Sequence, residues 1–507
     1  MRPLPRSLVI ARLVLGLLLI SLVVGSPSRA SAQLPTSPDA PQAVCSITWT
    51  NASGGAWSTA SNWSPARVPN AADNVCITLD GTYTVTLSTS TTIASLTVAN
   101  ATGSATLDAL VGYTSTVTVA GDVTNSDTIN MLGGLTIGGT LTNTVGALLE
   151  FKYSVLGGNN LSADVANAGT MVFNYVVAFT KPAGVFTSTG SVVVAADATF
   201  QMQGADQRFV LDGGSLTNNR TFGFTNGTFV WNGGTIGGAG TATLQAARLT
   251  IGAGAGAGSI ALTSGTLTGR VNTGQTVILT DSIVSGDLTN NGLLRVIGAL
   301  TISGGTLTNA AGATIDLPTP SFFNNRITGN ISNSGTVTVP GSQFLQLLGG
   351  TFTNIAPGTI SGATARLNIE AGATLAGDGT ITIAVINQAG TVRPGRPTGT
   401  LTIDGRFSQV LSTARTVIEV GGTTAGSYDV LAIMGSAEID GVVEVVGLSG
   451  FVAQPGQRFD VITYAARSSD TPDVTIPSGL ALRSSIGATA LTLRGPIRVF
   501  LPITRRA

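Results

Sequence analysis

A parallel β-solenoid is the fold class this 507-residue chain predicts, from its amino-acid palette, its asparagine spacing and an internal repeat. The palette is 43% hydrophobic, only 10% charged and contains 66 glycines. Globular domains usually carry ~25% charged residues. Val, Thr, Ala, Gly, Leu and Ser suit half-buried strands joined by tight turns, and suit helices poorly. The asparagines of Thr-Asn and Ser-Asn pairs recur at short intervals. Asn125 to Asn143 is 18 residues, Asn272 to Asn290 is 18, Asn290 to Asn309 is 19, Asn309 to Asn333 is 24 and Asn333 to Asn354 is 21. A period near 20 with short β runs is what one solenoid coil needs. Each coil has an apolar face it cannot bury alone, and stacking buries it. The repeat is longer. Residues 121–151 (GDVTNSDTINMLGGLTIGGTLTNTVGALLEF) align with residues 286–317 (GDLTNNGLLRVIGALTISGGTLTNAAGATIDL), with Ser303 inserted.

Residues 1–32 read as a secretory signal. Arg2, Arg6 and Arg12 form a basic stretch, Leu13–Val24 an apolar one, and Ala30-Ser31-Ala32 a cleavage site. The apolar run is short of the ~20 residues that span a bilayer, so an uncleaved anchor is the lesser alternative. After cleavage the chain is not expected to be an integral membrane protein. It is expected outside the cell or at its surface. Residues 33–44 are a Pro/Ser-rich linker.

Residues 45–100 are assigned as a Trp-rich N-terminal cap and first coils. Trp49, Trp57 and Trp63 would plug the open end of the solenoid, since an uncapped end exposes core and strand edges. A flat sugar-stacking platform is the alternative. Cys45 and Cys76 are the only cysteines. In an exported chain they are expected to form a disulfide, with two buried thiols as the alternative.

Residues 101–386 hold the solenoid repeats. In Leu300-Thr301-Ile302 and Val337-Thr338-Val339 apolar and hydroxyl side chains alternate, so the apolar ones point inward and Thr outward. Asn is placed at corners, where it tolerates left-handed backbone and can stack on Asn of the next coil. Gly252–Gly258 (GAGAGAG) is read as a glycine-rich turn, since it lacks the strand–helix setting of a phosphate cradle.

Residues 387–496 form a C-terminal β-rich region. Its turns and strands, Gly390-Thr391-Val392-Arg393-Pro394-Gly395, Gly399–Gly405, Tyr428-Asp429-Val430-Leu431, Glu438-Ile439-Asp440-Gly441 and Gly456–Ile462, resemble the passenger region of bacterial autotransporters and related surface-repeat proteins. The central repeats and Trp57…Asn62-Trp63…Pro69 are similar to that group too. The resemblance implies a right-handed β-helix displayed or released at the cell surface, often in adhesion. No C-terminal membrane barrel, which needs at least eight strands, is expected after the Pro394-Gly395 turn. The tail, residues 497–507 (IRVFLPITRRA), includes Leu501-Pro502-Ile503-Thr504. This resembles the start of a sortase signal, but Arg505 stands in place of Gly. A final strand with a basic end is the favoured reading of it.

The chemistry is sparse. Histidine is absent, removing the commonest general base and a common metal ligand. No metal site and no cofactor are expected. Net charge is +0 without a basic run, so nucleic acid is not an expected partner. Glycoside hydrolysis wants two carboxylates ~5–10 Å apart. Asp122 and Asp287 fall at equivalent repeat corners and, like Asp206, Asp212 and Asp281, read as turn residues. Trp231, in Phe229-Val230-Trp231-Asn232-Gly233-Gly234, is the one weak binding candidate, as a sugar-stacking side chain. The function expected is a secreted or surface structural and adhesive protein, non-enzymatic, with surface glycans or other cell-surface components as partners. The alternatives are a carbohydrate-active β-helix enzyme (lyase or hydrolase) or a glycan-binding module without turnover. Three or more carboxylates or arginines converging in a groove would favour the enzyme.

Overall fold

The structure is a computed structural model describing residues 44–110, 116–152, 159–318, 325–468 and 471–497. The signal, the linker before Val44 and the tail beyond Ile497 lie outside the described residues. The chain from Cys45 onward forms one compact unit.

Between its two ends the chain crosses three β faces in each coil, and each crossing pairs in parallel with the one a coil above and below. This makes three parallel β faces around one core. On the first face an apolar row climbs through Val123, Leu141, Val165, Phe186, Phe209, Phe229, Leu249 and Leu267 in unbroken register. The second face climbs through Val85, Leu107, Ile129, Leu149, Met171, Val192 and Leu216. The third climbs through Leu135, Leu161, Phe179, Met202, Phe224, Leu244 and Leu262. All of these side chains are buried. Period-2 alternation puts every second side chain inward, and stacking places like on like. Phe186, Phe209 and Phe229 stack with centroids 4.9 and 5.0 Å apart. Burying each such side chain is worth ~1.5–3 kcal/mol before conformational entropy is subtracted. Among the described residues there is no α-helix.

Two asparagine ladders run along the core edge. Asn125 Nδ2 donates to Asn143 Oδ1 at 2.8 Å, Asn143 to Asn167 at 2.8 Å, and Asn167 to Ser188 Oγ at 3.0 Å. Higher up, Asn290 donates to Asn309 (2.8 Å), Asn309 to Asn333 (2.7 Å) and Asn333 to Asn354 (2.8 Å). Each amide also donates to the carbonyl opening the next strand, as Asn290 does to Thr314. The stacking is as the sequence indicated, but the backbone is not. These asparagines end strands in extended conformation and are fully or almost fully buried. Left-handed non-glycine backbone instead recurs at another corner, on Asn226, Ala246, Ser264 and Asp281. Asn272 is not a rung with Asn290. Its amide donates to the carbonyls of Gly252 and Ala255.

The aligned repeats are not on the same faces. The row containing Val123 continues through Leu267, Val284 and Ile302. The Leu300-Thr301-Ile302 strand therefore lies on the first face, whereas its repeat equivalent Leu135-Thr136-Ile137 lies on the third. The second repeat is rotated by one face. Gly252–Gly258 is also corrected. It lies inside the strand Arg248–Thr263, not in a turn, and only Gly258 has positive φ.

The three N-terminal tryptophans lie in the first coil. Trp49, Trp57 and Trp63 are buried and meet edge to face, 4.9 Å from Trp49 to Trp63 and 4.8 Å from Trp57 to Trp63. The strand Trp63–Ser64 runs antiparallel to Ile47–Trp49 and covers its lower edge. The disulfide between Cys45 and Cys76 is formed, with Cα atoms 5.8 Å apart. Arg67 forks onto Asp73 at 2.5 and 2.6 Å, and Ser46 also donates to Asp73. The guanidinium holds that carboxyl well below the usual carboxylate range.

The parallel stack continues through residue 387 without a break, Asn368 opposite Ile386 and Ile386 opposite Ser408. It ends at the top differently. The strand Arg458–Arg467 pairs antiparallel with Ala490–Arg494, which pairs antiparallel with Arg483–Ile486. Parallel stacking stops where the chain folds back on itself.

Candidate functional site

Trp231 is not a sugar platform. It is 0% exposed, on the inward apolar row, and its Nε1 donates to the Gly234 carbonyl at 3.1 Å. The alternation that buries Phe229 buries Trp231 two residues later, on the same face of the strand.

Three of the acidic candidates hold coils together. Asp122 Oδ1 accepts the Thr140 N–H at 2.8 Å, and Asp287 Oδ1 accepts the Thr306 N–H at 2.9 Å. The two make the same contact on different faces. Asp281 does likewise with the Ala299 N–H at 2.9 Å. Asp206 and Asp212 are exposed. Among the described residues no group of three or more His, Cys, Asp or Glu is placed to hold a metal ion.

One carboxylate is unusual. Asp429 is 1% exposed, behind the Gly395–Gly399 turn. Burial pushes its carboxyl up to about 7, and the nearby Glu419 charge adds to this, although N–H groups of Glu419 (2.8 Å) and Gly399 (3.2 Å) donate to it. Glu419 itself accepts from Arg393 at 2.6 Å. Both Asp429 oxygens are engaged by backbone. This cluster pins the excursion at residues 421–429 to the solenoid.

Two concave surfaces remain. The first is a groove of about 470 Å³ on the third face, lined by Gln201, Gln203, Thr225, Thr243, Gln245 and Thr263 among others. Gly223 stands between Gln201 and Thr243 in the outward row. With no side chain there the row is indented, and a Cβ built on Gly223 would meet nothing closer than 3.8 Å. The left-handed residues Asn226, Ala246 and Ser264 turn the chain immediately beyond the groove's rim. Its lining includes no acidic residue.

The second is a cleft of about 550 Å³ at the top, lined by Arg458, Arg483, Arg494, Pro455, Pro496 and Ile497 among others. Here three arginines converge, which the sequence did not bring out. They are 25 and 11 residues apart in sequence, and only the antiparallel fold-back aligns them. This is the convergence that the sequence marked as favouring an enzyme, but its members are cations and Asp460 is the carboxylate beside them.

No protein-family model matches the chain, and no curated protein is similar to it. No helix among the described residues is long and apolar enough to cross a membrane.

Proposed function

We propose that the chain is a secreted or cell-surface β-helix protein, structural and adhesive, exported through residues 1–32 and non-enzymatic. The observation that carries this is the groove on the third face. It presents side-chain amides and hydroxyls from successive coils, which can donate to and accept from sugar hydroxyls. It has no carboxylate to serve as general acid or base. The resemblance to passenger regions and the use of the large aromatics in the core support the same reading. The test is binding of the purified chain to immobilised neutral and acidic polysaccharides, with antibody fractionation of the native cell. Gln201→Ala with Gln245→Ala should weaken neutral-glycan binding at least tenfold. Unchanged binding, or a chain retained wholly inside the cell, would end this proposal.

The arginine convergence favours a second reading, an enzyme acting on an acidic polysaccharide. An arginine is protonated at neutral pH, so it binds anions more readily than it abstracts protons. New reducing ends or unsaturated products from pectin or alginate would make this the leading reading.

A further inference from the structure

We propose that the cleft at the top of the solenoid binds an acidic polysaccharide through a row of three arginines, Arg458, Arg494 and Arg483. This deepens the adhesive reading and rests on it for access to extracellular glycans.

The geometry is that of three neighbouring antiparallel strands. Arg494 lies directly opposite Arg458 on one side and directly opposite Arg483 on the other. Directly opposed residues project to the same side of a sheet, and like charges so placed are destabilising. All three are exposed at the cleft. Several other cations of the chain are ion-paired. Arg67 is bound to Asp73, Arg295 to Asp316, Arg393 to Glu419 and Arg415 to Glu444. Arg208, Arg248, Arg270 and Arg326 stand single on the solenoid faces, but none is set side by side with a second and third arginine across neighbouring strands. In the row, Arg458 has Asp460 at 3.0 Å. Among the described residues no contact ion pair to Arg483 or Arg494 occurs. Asp460, whose carboxylate is also favoured by the Arg494 charge, is one anion against three cations. A row that folding disfavours, with most of its charge uncompensated, is explained by an anion it meets.

The anion's class follows from shape. Neighbouring strands are ~4.8 Å apart, so the row is about 10 Å long. That suits a chain bearing repeated carboxylates or sulfates better than one isolated phosphate. Guanidinium forks match both groups in two-pronged fashion. Pro455, Pro496 and Ile497 give the cleft apolar walls, and Ile497 is 73% exposed. Such walls suit the C–H faces of sugar rings. Among the described residues lining the cleft there is no aromatic platform for bases, which favours the glycan over a single-stranded nucleic acid.

The test uses the full mature chain, with heparin, polygalacturonate, dextran and a single-stranded oligonucleotide as probes in a calorimetric salt series. Tight, salt-sensitive binding of heparin or polygalacturonate is expected, and the stronger of the two identifies the anionic group. The Arg483→Gln/Arg494→Gln variant should bind at least tenfold more weakly, with a shallower salt dependence. Its thermal midpoint should be equal to or above that of the native chain, because repulsion has been removed. Arg483→Lys/Arg494→Lys should recover part of the affinity. Equal affinity in the Gln variant would overturn the proposal, as would tighter binding of the oligonucleotide. If acidic glycans fail while dextran or another neutral glycan still binds, this inference falls and the adhesive reading stands. If acidic glycans are bound and cleaved, the arginine row stands and the non-enzymatic reading falls.

Discussion

Asn309 makes four contacts with one side chain, the longest to the Ala313 carbonyl at 3.5 Å. It accepts from Asn290, and it donates to Asn333 and to the Thr336 carbonyl at 3.2 Å. It is 0% exposed. Replacing it with Ala removes the partner of a donor of Asn290 and of three acceptors, on Asn333, Thr336 and Ala313. Each orphaned buried group costs ~1–3 kcal/mol, so Asn309→Ala should lose at least ~2 kcal/mol. The outward Thr308→Ala should change stability by less than ~0.5 kcal/mol. Denaturant midpoints, together with hydrogen-exchange protection of the coils carrying Asn290 and Asn333, measure both. Equal effects would deny the ladder its role. Asp429 gives a pH prediction. Its folded carboxyl sits at about 7, above an unfolded value of ~3.9. The folded state therefore holds the proton more tightly between these values. Stability contributed by this group is fully present below pH ~4 and is lost as pH rises through about 7. Unfolding midpoints should fall over that window, and Asp429→Asn should flatten the fall, costing most stability at low pH and least above pH ~7. A slope unchanged in the variant would assign it to other groups.

At the scale of elements, the disulfide and the tryptophan cluster act on one coil. The bridge joins positions 31 residues apart. Loop-closure entropy for that length is worth ~3–4 kcal/mol. In a solenoid each coil contacts only its neighbours. Reduction should therefore loosen the bottom coil more than the middle ones. Limited proteolysis after reduction should cut first between residues 45 and 100 and leave residues 159–318 protected. Uniform digestion would show that the coils unfold as one. The left-handed corner after Thr225, Gln245 and Thr263 is a second local feature, and it shapes the rim of the amide-lined groove. It was not legible in the sequence, because Asn226, Ala246, Ser264 and Asp281 share a conformation and not a residue type.

At the scale of the molecule, the open problem of any solenoid is its two ends, where strand edges stand unpaired. The bottom is covered by the antiparallel strand Trp63–Ser64, the top by Arg483–Ile486 and Ala490–Arg494. Removing the chain from Ser468 onward should uncover the strand Arg458–Arg467 and the core beneath it. Exposed edges of this kind pair with other chains. Light scattering should show the truncated protein self-associating at concentrations where the full chain does not. A monodisperse truncation would mean that the fold-back is not the top cap.

Much of the fold is written locally. Alternation of Val, Leu, Ile and Phe with Thr and Ser determined strands and their inward sides. Asn spacing determined coil length, and Cys45 with Cys76 in an export context pointed to the bridge. Those features depend on neighbours a residue or one coil away. Tertiary structure alone decided which face each segment occupies. All three faces use the same inward–outward pattern, so a segment's face depends on the sum of the lengths of all preceding coils. That sum set the repeat at 286–317 one face away from the repeat at 121–151. The strand it lies on likewise put Trp231 in the core, where its flanking glycines had marked it as open. It also decided the arginine row. Nothing local links Arg458, Arg483 and Arg494 until the chain reverses direction and antiparallel pairing sets them side by side.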